Sequence, residues 1–181
     1  MKMVVDAYEK ALAEWLSDYS RLVLAGVGNP LRGDDGLGVE VAARLAGRVP
    51  QDTMVVDCGT VPESHLGPIS RYQPSHILFL DAADLGLRPG RVRLIMPEQI
   101  TGLNVSTHNL PMSILTKYLR GQTRADIAFL VIQPSNTGFG EDMSPEVVDS
   151  VRRVAELIER ILRARRRKSN LGGEEYPQYL G

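Results

Sequence analysis

With a single cysteine, Cys58, in 181 residues, no internal disulfide framework is possible. That suits a reducing compartment. No apolar run reaches the roughly 18 residues of a membrane span. The start of the chain has no basic, apolar and small-residue sequence of a signal peptide. Charge of one sign is lacking as well: 21 basic and 22 acidic residues leave a formal −1. No global field therefore draws the chain to nucleic acid or an anionic membrane. A soluble, cytoplasmic protein without a nucleic-acid partner is expected. The basic run Arg163, Arg165, Arg166, Arg167 and Lys168 reads as a solvated helix end.

What is present is ordinary in amount, 43% hydrophobic and 24% charged, and enough for one well-cored domain. Its arrangement is more telling. Leu22 to Val27 is a continuous apolar run, as in a strand buried on both faces. Comparable strands are expected at Thr53–Cys58, His76–Asp81 and Ala128–Ile132, with a half-exposed edge strand at Arg91–Met96. Helical spacing marks 36–47, about 110–120 and 144–163, with a short helix near 63–71 and an irregular stretch at 97–107. Ser144-Pro145-Glu146 is a helix start, with serine at the N-cap and proline in the first turn. Ahead of the first strand, Tyr8, Leu12, Trp15, Leu16 and Tyr19 form an amphipathic stripe, read as a packing face. The expected organisation is an N-terminal helix in 1–20, one α/β domain in 21–165 and a flexible basic and polar tail in 166–181. Strands alternating with helices imply a mostly parallel sheet covered on both faces.

Between the first strand and its helix lies Gly28-Asn29-Pro30-Leu31-Arg32-Gly33-Asp34-Asp35-Gly36-Leu37-Gly38. Strand-to-helix crevices at the carboxyl end of a parallel sheet are the usual place for a site. A dinucleotide reading fails, because Leu31 stands where the third glycine belongs, and no Walker lysine follows. Adjacent carboxylates would also repel a phosphate; a helix N-terminus favours them, or a cation they hold. Asp81 closes another predicted strand, and His108 precedes a helix in Ser106-Thr107-His108-Asn109. Parallel strands would bring Asp35, Asp81 and His108 to one sheet edge. Two carboxylates and an imidazole make a divalent-metal set that does not by itself choose among zinc, nickel, manganese and iron. Each also has a plain explanation as a cap or turn residue. Cys58 with His65 offers a cysteine-nucleophile alternative, weakened by the absence of a positive neighbour for the thiol.

The Gly28–Gly38 motif, Asp81-Ala82-x-Asp84, Thr107-His108-Asn109-Leu110-Pro111 and Ile132-Gln133-Pro134 occur in an order that resembles the nickel–iron hydrogenase maturation endopeptidases. The similarity covers about residues 21–162, in the branch with aspartate at the first metal position. It implies a three-layer α/β/α sandwich around a five-stranded, mostly parallel twisted sheet. It implies removal of a C-terminal extension from the hydrogenase large-subunit precursor after nickel insertion. Family metal and catalytic positions fall on Asp35, Asp81 and His108. The resemblance also implies that the nickel is supplied by the substrate and that zinc or another divalent cation can take its place in vitro. Gly33, Asp34, Gly36, Gly38, Asp84 and Asn109 are expected to help hold the substrate or the ligands, the glycines by close backbone approach. A non-proteolytic metal-binding chaperone with the same ligands is the rival reading.

Overall fold

The computed structural model describes residues 6–99, 104–105 and 112–171, with side chains left aside at 104–105 and 168–171. Six strands are present: β1 (Leu22–Val27), β2 (Thr53–Gly59), β3 (His76–Asp84), β4 (Val92–Ile95), β5 (Asn104–Val105) and β6 (Asp126–Ile132). Five of them form the main sheet in the order β2-β1-β3-β6-β4, while β5 pairs with β3 alone. β1, β2, β3 and β6 run parallel, and β4 is antiparallel on β6. The three central strands are buried throughout, apart from Asp84 and Asp126 at their ends. Their unbroken apolar runs follow from having helices on both faces.

Alternation along these strands divides the core in two. Leu22, Leu24, Leu78, Leu80, Ala128 and Leu130 face one side with α2 (Leu37–Leu45) and α5 (Pro145–Leu171). Val23, Ala25, Ile77, Phe79, Ile127 and Phe129 face the other with α3 (Leu66–Tyr72) and α4 (Met112–Thr123). Phe79 and Phe129 are register partners whose rings stack at 5.2 Å between centroids. The N-terminal stripe is spent on packing. From α1 (Ala7–Trp15) and the turn after it, Leu12, Leu16 and Tyr19 enter the cluster that holds Leu157, Ile158 and Leu162. Burying a leucine there stabilises the fold by about 2 kcal/mol.

Three boundaries differ from the sequence reading. β3 does not end at Asp81 but continues to Asp84, because β6 still pairs through Ala82 and β5 takes over at Ala83 and Asp84. The stretch 97–107 is not wholly irregular: it holds a 3₁₀ turn at Pro97–Gln99 and the short β5. α5 runs to Leu171, past the expected end near 163–165 and into the expected tail, sustained by helix-favouring Arg and Leu side chains.

Candidate active site

β1, β3 and β6 deliver their carboxyl ends to one edge, and the chain leaves β1 there through Gly28. Its φ of +139° suits glycine alone, and a Cβ would lie 1.8 Å from the Asp35 carbonyl oxygen. Asn29 then organises the loop from both ends. Its side-chain oxygen accepts the Leu31 N–H at 3.0 Å, and its own N–H donates to Asp35 Oδ2 at 3.2 Å. A 3₁₀ turn over Gly33–Gly36 carries both aspartates into α2. Asp35 is only 6% exposed there, and its Oδ1 takes no hydrogen bond among the described residues.

Asp34 faces the other way. Fully buried, it accepts the N–H groups of Ser135 (2.7 Å) and Asn136 (2.9 Å) and the Ser144 hydroxyl (2.9 Å) on Oδ2. Its Oδ1 accepts the Ser144 N–H at 2.6 Å. Four donors compensate the cost of burying the carboxylate. The Asp34 oxygens are thus committed to the 135–144 loop. Ser144 does occupy the N-cap of α5, with its carbonyl accepting from Val147 and Val148, but its hydroxyl serves Asp34.

Asp81 lies on β3 opposite Val131 of β6, also fully buried, with Oδ1 accepting the Ala82 N–H at 2.8 Å. Strand alternation puts it on the face of Ile77, Phe79 and Ala83, the side covered by α4. Asp84 is exposed and accepts from Gly86 N–H and Gln133 Nε2. Gln133 had no assigned role in the sequence reading, although its place in Ile132-Gln133-Pro134 marked it. Its Oε1 accepts the Leu85 and Leu87 N–H groups at 2.7 and 3.2 Å, clipping the chain after β3 onto the end of β6. Asp84 thus helps shape that turn. His108 and Asn109 lie outside the described residues, between β5, whose Val105 pairs with Ala83, and α4, whose Met112 is buried in the same cluster as Ala83.

The close approach expected at the glycines is made by the chain itself. A Cβ on Gly38 would lie 2.0 Å from the Leu80 oxygen and 2.3 Å from the Val27 oxygen. One on Gly36 would meet Pro30 Cα at 2.7 Å, and one on Gly33 the Asn136 oxygen at 2.8 Å. These positions let α2 and its entry loop sit down on the sheet. The consequence for the site is direct: Gly38 seats α2 against the carbonyls of Val27, the last residue of β1, and Leu80 of β3, so Asp35 enters α2 beside the strand pair that includes Asp81, the residue after Leu80.

The cysteine alternative fails on environment. Cys58 is buried, and desolvation, with Asp57 as a lesser cause, pushes its thiol up to about 12. At neutral pH it is a thiol and not a nucleophile. Among the described residues no group of three or more His, Cys, Asp or Glu is placed to hold a metal ion, and no helix is long and apolar enough to cross a membrane.

Known proteins share this architecture. The family model for hydrogenase maturation proteases matches residues 39–161, beginning just past the Gly28–Gly38 loop. The hydrogenase 3 maturation protease of Escherichia coli K12 is 36% identical over 138 residues, covering 76% of this chain and 88% of its own. The crystal structure of a nickel–iron hydrogenase maturation protease from Thermococcus kodakarensis KOD1 superposes with a TM-score of 0.80 at 38% identity, covering 84% of this chain and 99% of its own. The Escherichia coli maturating endopeptidase HybD shares the fold at a TM-score of 0.66 and 24% identity, covering 82% of this chain and 93% of its own.

Proposed function

This chain belongs to the hydrogenase maturation protease family, and from that premise we propose that it cuts a C-terminal extension from the large-subunit precursor of a nickel–iron hydrogenase, sensing inserted nickel through Asp35, Asp81 and His108. Endopeptidase action in hydrogenase maturation comes with the family. The site of the cut, the nickel and its ligands are the proposal.

The observation that supports it is the seat of Gly38 against the Leu80 and Val27 carbonyls, which brings the buried Asp35 to the same strand pair, β1 and β3, that carries the buried Asp81. In this reading nickel is part of the substrate, arriving inside the precursor. Carboxylate oxygens and an imidazole form a donor set that suits nickel, and zinc or another divalent cation in vitro. In so dry a setting a cation interacts far more strongly with a carboxylate than it does in water. Asn109 would orient His108 by a hydrogen bond to the ring nitrogen that faces away from the metal. A cation held there would lower the pKa of coordinated water toward neutrality. Asp35, with Oδ2 anchored by Asn29 and Oδ1 unengaged among the described residues, is the carboxylate this chain offers as general base.

The test is incubation with nickel-loaded and nickel-free precursor, read by intact mass. Shortening of the loaded form alone is expected. Equal cleavage of both forms would remove the nickel-sensing step. A precursor left whole in both would instead favour the metal-binding chaperone.

A further inference from the structure

Two large apolar side chains stand in solvent beside the candidate site: Leu31 is 63% exposed and Phe139 74%. They are 108 positions apart in sequence (139 less 31), yet their loops are stitched together. The Leu31 carbonyl accepts the Gly140 N–H at 2.8 Å, and the Asp34 N–H donates to the Asn136 carbonyl at 2.9 Å. The Asp34 carboxylate ties Ser135, Asn136 and Ser144 to the same turn. Leu31 is also fastened to the site, since Asn29 accepts its N–H and donates to Asp35 Oδ2. A buried clamp therefore fixes the backbones from which both side chains project, Leu31 on the loop that carries Asp35 and Phe139 on the loop stitched to it.

We propose that Leu31 and Phe139 form a pre-set apolar ridge that grips the precursor beside the scissile bond, so that they determine substrate affinity without taking part in the chemistry. The inference rests on the peptidase reading above. Its occupant is the precursor itself, through an apolar surface flanking the cut. Leu31 lies on the loop that positions Asp35, joined to it through Asn29, so a protein presenting its peptide to Asp35 comes beside this ridge. Exposed apolar groups beside a functional site commonly mark an interaction surface. Holding their backbones in place in the free protein reduces the ordering cost on binding.

The experiment uses the full-length protein and the purified nickel-loaded precursor. Leu31→Ser and Phe139→Ser should each raise KM about tenfold with kcat unchanged, the fold-change expected for losing one buried apolar side chain. Tyr118→Ala, at an exposed ring on α4, should change neither. Thermal unfolding should match the parent in all three, because these side chains lie outside the core. Binding is measured separately in an Asp35→Asn background, where both serine variants should weaken the Kd about tenfold. An unchanged KM and Kd would overturn the ridge while leaving the peptidase reading intact. Failure of the parent protein to cut would sink that reading instead, and the binding arm would still decide the ridge. Should the parent sediment as a dimer that the serine variants convert to monomer, the surface would belong to self-association and the proposal would fall.

Discussion

Asp34 and Ser144, 110 residues apart, are joined twice: backbone N–H to Oδ1 at 2.6 Å and hydroxyl to Oδ2 at 2.9 Å. That pair of hydrogen bonds closes the loop after β1 onto the start of α5. A sequence reading pairs neither residue with the other, because each has a sufficient local explanation as a cap.

Replacing Asp34 tests the clamp. Asp34→Ala leaves the Ser135, Asn136 and Ser144 N–H groups without their acceptor. Hydrogen bonds to a charged group contribute about 1.5–3 kcal/mol each and do not add fully, so a loss of about 3 kcal/mol is expected. Urea unfolding measures it. A midpoint equal to the parent's would show that the clamp contributes nothing.

Asp35→Asn keeps the shape of the side chain and removes its basicity. Processing of the nickel-loaded precursor should fall by about 10²–10⁴-fold, the usual contribution of a general base. His108→Ala should be as severe. Unfolding curves should stay near the parent's. Full cleavage by either variant, read by mass, would strike that residue from the site.

Gly38→Ala puts a methyl 2.0 Å from the Leu80 oxygen, a backbone atom that cannot swing aside. Overpacking of this kind costs about 1–3 kcal/mol, and more where backbone must move. The variant should be destabilised and should process poorly even at temperatures where it remains folded, because α2 and Asp35 move together. Activity equal to the parent's would show that the seat of α2 is not what places the carboxylate.

Cys58 should resist iodoacetamide at neutral pH and become reactive only in denaturant, given a thiol pushed up to about 12 by burial. Cys58→Ser should retain precursor processing. Rapid labelling of the folded protein, with loss of activity, would restore the cysteine alternative.

His76 sits under Trp15, with ring centroids 4.9 Å apart, and Asp18 lies 3.4 Å from its Nε2. Burial is the main influence and lowers its pKa from 6.5, opposed by Asp18 and Asp126 and reinforced by Arg165. The unfolded chain therefore takes up its proton first as pH falls. This contribution to stability is complete above about 6.5, declines below it and levels off under the folded-state value. Denaturation at a series of pH values should show that decline, and His76→Gln should flatten it. An unaltered slope in the variant would assign the decline to other groups.

Legibility followed the range of the forces involved. The strand at Leu22–Val27 and the stripe of Leu12 and Leu16 were readable, because continuous burial and helical spacing are written along the chain. Asp35 was nameable from its place after β1, and Asp81 from its place in the apolar run of β3, although that strand continues past it to Asp84. Gly33, Gly36 and Gly38 were singled out as places of close approach, but the intrachain neighbours were not legible: the residue type shows that something comes close, not what. Gln133 escaped assignment because its partners, Leu85 and Leu87, come from a loop 46 to 48 positions away.

By itself the sequence determined the alternation of strands and helices, and with it a parallel sheet whose carboxyl edge gathers the loop residues. Periodic burial is a local pattern that no distant contact needs to complete. Only the tertiary structure decided that Asp34 turns inward while Asp35 stays at the strand ends, since adjacent carboxylates are chemically alike. What separates them is which one meets the amide donors of a loop a hundred residues downstream, and that is settled when the chain closes on itself.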